Sequence, residues 1–130
     1  MNSPFPVLLH TLWRSIGWFG FVLLLYLSLT PKPPEISLDH GDKLGHMLAY
    51  ATLMFWWAQL LVAARWRLVL ATMLTALGIA LEYVQGWTGL RTFDYVDMVA
   101  DTAGVVLGWI VALIVPNLLL MMGQLSYWKR

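Results

Sequence analysis

The chain has 130 residues, enough for a single domain and no more. Apolar residues make up 60% of it and charged residues only 12%, a balance that excludes an ordinary water-soluble core. The absence of cysteine excludes disulfides and thiolate metal sites, and the net charge of +1 acquires meaning only once the charges are placed along the chain.

A membrane-crossing helix needs about 20 mostly apolar residues. Four stretches qualify. The first runs from Leu12 to Leu29 and stops at Thr30-Pro31-Lys32-Pro33-Pro34, where the prolines remove backbone donors. No small-residue cleavage motif follows it, so it is expected to stay as a helix rather than leave as a signal peptide. The second runs from Leu44 to Ala64 and the third from Leu68 to Gln85, followed by Gly86 and Gly89. The fourth runs from Met98 to Met122, with Pro116 as an expected kink. The expected fold is all-α: a polytopic membrane protein, one domain over residues 1–130, built as a four-transmembrane-helix bundle.

The charges sort by loop. Arg14, Arg65, Arg67, Lys129 and Arg130 lie at the N-terminus, in the second loop and at the C-terminus, with no acidic residue among them. All seven carboxylates (Glu35, Asp39, Asp42, Glu82, Asp94, Asp97 and Asp101) lie in or beside the first and third loops, with only Lys32, Lys43 and Arg91 to balance them. Short basic loops stay in the cytoplasm. Both termini are therefore expected inside and the two acid-rich loops outside. Trp56, Trp57, Trp66, Tyr127 and Trp128 include candidate interface anchors.

The polar residues gather at the outer helix ends. Asp42, His46 and Tyr50 are spaced i, i+4, i+8 and share a helix face, with Lys43 beside them. Asp42 also suits a helix N-cap. Glu82 and Gln85 form an i, i+3 pair about one turn inside the end of the third helix. Asp97 and Asp101 begin the fourth, with Gly104 and Gly108 continuing their stripe. Arg91 and Asp94 lie in the loop between. Each has a plain structural explanation when taken singly. Asp42 caps a helix, Lys43 snorkels, Tyr50 packs, the glycines let helices approach, Arg91 pairs with Glu82 or Asp97, Asp94 shapes its loop and His46 is a hydrogen-bonded interior residue. Together they exceed that explanation. Six carboxylates between Asp39 and Asp101 face two fixed cations, Lys43 and Arg91, so internal pairing cannot neutralise them all. The remainder must be hydrated, protonated or matched by an external cation.

That excess bears on the ligand. A site built only for phosphate would be net basic. An acidic one suits a divalent cation, with Glu82, Asp97 and Asp101 as candidate oxygen ligands and Mg²⁺ as a natural occupant. Zinc would require His46 and a second histidine, and His40 lies in a loop. Arg91 and Lys43 would then meet an anionic group.

The residues at this point resemble the VanZ-like family of bacterial membrane proteins. Asp42-Lys43-Leu44-Gly45-His46-Met47-Leu48-Ala49-Tyr50 is similar to that family's D-K-x-x-H-x-x-x-Y. Glu82-Tyr83-Val84-Gln85 is similar to its E-x-x-Q. Arg91 to Asp97, continued by Asp101, Gly104 and Gly108, is similar to R-x-x-x-x-x-D-x-x-x-N-x-x-G-x-x-x-G, with Asp101 standing where the family carries Asn. The blocks fall in the family's order over about residues 40–108, and the first helix also fits. The resemblance implies a bacterial cytoplasmic (inner) membrane protein. The family's namesake is associated with resistance to the glycopeptide antibiotic teicoplanin, a phenotype that does not transfer to this chain by resemblance.

The functional expectation is an outer-face site that binds or processes a cell-envelope ligand, a lipid-linked phosphate or glycan. Candidate catalytic residues are His46, Glu82 and Asp97, with His46 as general acid or base because its ordinary pKa lies near neutrality. Candidate ligand-binding residues are Asp42, Lys43, Tyr50, Gln85, Arg91 and Asp94. The alternatives are a metal-dependent hydrolase or transferase at the same site, a structural or accessory subunit, and a transport or proton-relay element. The expected partners are the lipid bilayer and the envelope ligand, with oligomerisation open and no nucleic acid.

Overall fold

The computed structural model describes residues 4–128, with side chains described for residues 6–124. Lys129 and Arg130, and the side chains of Tyr127 and Trp128, lie outside the described residues. Among the described residues five helices follow in order: α1 (Pro4–Leu29), α2 (Gly41–Ala58), α3 (Ala64–Thr88), α4 (Tyr95–Ile114) and α5 (Leu118–Trp128). No strand occurs among the described residues.

Among the described residues three segments are long and apolar enough to cross a membrane: Pro6–Leu29, Ala64–Thr88 and Tyr95–Gln124. By the same measure α2 is not, because Asp42, Lys43 and His46 fill its first turns. Its position accounts for that composition. It touches α1, α3 and α4, and Tyr50, Leu53, Met54 and Ala58 along it are buried. A helix wrapped by other helices meets lipid over little of its surface, so it can carry polar groups that a peripheral helix cannot.

The central contact is between α2 and α4. A Cβ placed on Gly104 would overlap the Met47 carbonyl oxygen, and one on Gly108 would overlap that of Ala51. The glycine stripe therefore lets two backbones touch, as small residues do between membrane helices. Leu24, Leu53, Met54, Leu74 and Val105 close the apolar core around that contact.

Boundaries differ from the sequence expectation where side chains cap helix ends. The second helix stops at Ala58 rather than near residue 64. Arg67 donates to the carbonyls of Ala58 (2.9 Å) and Leu61 (2.7 Å), satisfying acceptors that a continuing helix would have used. Arg67 is thus a buried capping residue within α3, and not a solvated loop charge. Pro116 ends α4 rather than kinking it, and α5 restarts at Leu118. The freed groups are met by Gln59, which accepts from the Leu118 amide, and Asn117, which accepts from the Leu120 amide and donates to the Gln59 carbonyl.

The same end of the bundle is held by a pair of indoles. Trp13 donates to the Trp56 carbonyl (3.0 Å), Trp56 donates to that of Trp13 (2.9 Å), and their rings stack with centroids 3.9 Å apart. Trp56 is therefore a bundle clasp, while Trp66 stays exposed as an anchor could.

The glycine contact makes a sharp prediction. Gly104→Ala gains roughly 1 kcal/mol in helix propensity yet should destabilise the protein by about 1–3 kcal/mol, because the overlap is with backbone. Gly45→Ala, whose new methyl meets only the Ile36 side-chain tip at 4.0 Å, should be neutral or stabilising. Unfolding of the two variants in mixed detergent micelles tests this, and equal stabilities would contradict it.

Candidate functional site

The first and third loops meet at the end of the bundle opposite the indole clasp. The chain enters α2 through His40, which adopts a left-handed conformation (φ 58°), and Gly41, where a Cβ would overlap the Ile36 carbonyl. Helix α2 begins at Gly41, so Asp42 lies in its first turn and His40 holds the cap position without a side-chain bond. Asp42 pairs with Lys43 instead (3.0 Å).

Lys43 is the centre of the cluster. Its ammonium reaches Asp94 Oδ2 and Asp97 Oδ1, both at 2.5 Å, as well as Asp42. Three carboxylates from two regions of the chain thus share one cation. In return, the Lys43 ammonium holds the Asp94 carboxyl below the usual carboxylate range, with help from the Val96 amide.

Asp94 is also the N-cap of α4, its Oδ1 accepting from the Val96 amide at 2.9 Å. Its own amide donates to Glu82 Oε1 at 2.5 Å. Glu82, only 1% exposed, therefore ties the third loop to α3. One helix turn further in, His46 Nδ1 and Asp101 Oδ1 are hydrogen-bonded at 2.9 Å, and His46 Nε2 lies 3.7 Å from Asp97 Oδ2. Gly78 makes room for this pair, since a Cβ there would come within 2.7 Å of Asp101 Oδ2.

The structure brings Asp42, Lys43, His46, Glu82, Asp94, Asp97 and Asp101 into one connected network. Two other candidates make no hydrogen bond or ion pair to it among the described residues. Tyr50 is buried in the apolar core, and Gln85 donates to the Ser28 carbonyl (2.6 Å), tying α3 to the end of α1. Arg91 makes no hydrogen bond or ion pair among the described residues, so the expected pairing with Glu82 or Asp97 is absent there.

Arg91 instead lines a cavity of about 250 Å³ at this end of the bundle. The lining also includes the proline-rich link from α1 to α2, with Pro33, Glu35 and Ile36, and Asp42, His46 and Ala49 of α2. The link and Glu35 were not among the site residues expected from sequence. The density of prolines beside an acidic residue was the available signal for a stiff polar wall. A larger recess of about 520 Å³ lies between Ile79 and the outer face of α4, but its lining is apolar apart from Thr102 and holds no ionisable group.

Among the described residues no group of three His, Asp or Glu side chains is arranged to hold a metal. The reason is visible in the partners: Asp97 and Asp101 turn to Lys43 and His46, and Glu82 turns to a backbone amide.

Apolar helices of membrane-spanning length around a charged cluster at one bundle end define a multi-pass membrane protein. The family model for VanZ/LLP1 matches residues 3–116, from the start of α1 to beyond α4, and the chain belongs to that family. No curated protein and no solved structure gives a significant match.

The depressed Asp94 pKa has a signed consequence. Its contribution to stability is complete above the unfolded Asp value of about 3.9 and is lost as pH falls through the lower folded value. Asp94→Asn keeps a capping side chain but removes the charge. It should be less stable than wild type at neutral pH, with the gap closing in acid. A pH series of unfolding curves tests this, and a gap that does not shrink in acid would refute it.

Proposed function

We propose that the cavity is a binding site, on the outer face of the bacterial cytoplasmic membrane, for a cell-envelope lipid that carries a phosphate group. The observation that carries this reading is Arg91. It is a guanidinium without an ion-pair partner among the described residues, on the wall of a cavity at a bundle end that also holds His46. Guanidinium is the side chain best matched to phosphate oxygens. Lys43 is committed to three carboxylates and serves to hold α2 against the third loop. Glu82 and Asp97 act as positioning residues: Glu82 fixes the loop that bears Arg91, and Asp97 fixes Lys43.

The orientation follows from the charges. Arg14 and Arg65 belong to the end opposite the acidic cluster, and the tendency of short basic loops to stay inside supports a cytoplasmic position for that end, with α2 as a fourth span in this reading. The chain has no cysteine, so single cysteines can report sidedness. In intact cells, an impermeant maleimide should label Glu35→Cys and leave Arg65→Cys unlabelled until the membrane is opened. The reverse pattern would invert the topology.

A second reading, turnover of the bound lipid, draws on the His46–Asp101 pair. With Asp101 ionised, Nδ1 carries the proton and donates to it, leaving Nε2 as the basic nitrogen. A carboxylate that orients an imidazole in this way is how general bases are commonly held.

One preparation tests both. Wild-type protein released gently from its own membrane should carry a phosphorus-containing lipid by native mass spectrometry, and Arg91→Ala should lose most of it. Wild type and variant equally bare would defeat the binding reading. Incubation with ³²P-labelled total membrane phospholipid, beside ³²P-labelled polyprenyl phosphate, then asks about chemistry. Release of phosphate that His46→Ala abolishes would make the protein an enzyme, and an intact label leaves it a binder.

A further inference from the structure

We propose that the cavity selects a zwitterionic phospholipid headgroup bearing a primary ammonium, as in phosphatidylethanolamine. The inference rests on the reading that this cavity is a ligand site, and it names the ligand class.

The argument begins with the charge of the wall. Arg91 supplies one fixed positive charge and Glu35 and Asp42 supply two negative ones, while His46, also in the lining, is already hydrogen-bonded to Asp101. Asp42 is only partly neutralised, because its partner Lys43 is shared with Asp94 and Asp97. A lone phosphate would gain Arg91 and be repelled by both carboxylates. A headgroup that carries an ammonium beside its phosphate satisfies both signs, with the phosphate on Arg91 and the ammonium on Glu35 and Asp42.

The kind of ammonium follows from the lining. A primary ammonium has three N–H donors for carboxylates, whereas a quaternary one has none and is held by aromatic faces. Among the described residues no Trp, Tyr or Phe lines this cavity. The chemistry therefore favours ethanolamine over choline.

Size and surroundings agree. At about 250 Å³ the cavity is smaller than the roughly 300–1,000 Å³ that encloses a whole drug-sized ligand. It takes a small headgroup and leaves acyl chains outside. Leu27, Ile36 and Ala49 give the wall an apolar side, and Leu23 and Leu29 of the same helix α1 are exposed. Acyl chains can run along that surface.

The test uses full-length protein in nanodiscs made from equal parts phosphatidylethanolamine, phosphatidylglycerol and phosphatidylcholine. After transfer to mild detergent, native mass spectrometry reads which lipid is retained. Wild type should retain phosphatidylethanolamine over the other two. Arg91→Ala should reduce that retention about tenfold, the scale of one charge-assisted contact. Glu35→Gln combined with Asp42→Asn should abolish the preference over phosphatidylglycerol while phosphate binding persists. Both residues are exposed, so this variant should fold, and its unfolding curve checks that it does. An excess of soluble O-phosphoethanolamine should leave the lipid in place, since it lacks the apolar contacts. Its displacing the lipid would assign the site to a soluble ligand and overturn the inference. Retention of phosphatidylglycerol or phosphatidylcholine as strongly as phosphatidylethanolamine, still dependent on Arg91, would overturn the inference and leave the binding reading standing. No enrichment of any lipid in wild type would remove both.

Discussion

Lys43 stands at the start of a helix surrounded by apolar helices, and an ammonium there is stable only among counter-charges. Asp42, Asp94 and Asp97 supply them. Removing ions from water costs several kcal/mol each, and attraction repays that only when geometry and additional hydrogen bonds are good. The consequences run outward from this cation. Asp94 can point at Lys43 because it caps α4, and its backbone is held by the buried Glu82. Asp97 reaches Lys43 because Gly104 and Gly108 bring α4 against the backbone of α2. The packing of the bundle and the electrostatics of its polar end are therefore one arrangement.

The network spends its charges unevenly. Lys43 and His46 face Asp42, Asp94, Asp97 and Asp101, while Arg91 is left on the cavity wall with Glu35 and Asp42 nearby. This division separates groups held in internal pairs from those left on the cavity lining. Asp101 illustrates it. Beside His46 and Gly78 it is an internal partner, which gives a local account of a carboxylate at a position where the family pattern carries Asn. A carboxylate there pairs with imidazole by charge as well as by hydrogen bond.

Much of this was legible in the sequence because the relevant signals are local. Apolar length marks a spanning helix, and proline and glycine mark where one stops. The i, i+4 spacing put His46 near Asp42, and Asp101 near Asp97, on their helices. What the sequence could not give was the partner of each polar group across helices. Arg67 read as a loop charge because nothing local says that α2 ends early and offers it two carbonyls. Gln85 and Tyr50 share motif spacing with site residues, yet one serves a junction with α1 and the other the core. A helix face is defined by spacing, but its neighbour is chosen by packing.

The sequence by itself determined the class of protein and the segregation of charge, since both follow from composition along the chain and the cost of polar groups in hydrocarbon. It also marked the residues from which the polar end is made. Tertiary structure decided the division of labour among them: Lys43 bound within, Arg91 turned to a cavity, Glu82 fastened to a backbone amide and His46 paired with Asp101. Those assignments depend on contacts between residues about 10 to 55 positions apart, whose geometry is fixed by a backbone contact that only glycine at 104 and 108 permits.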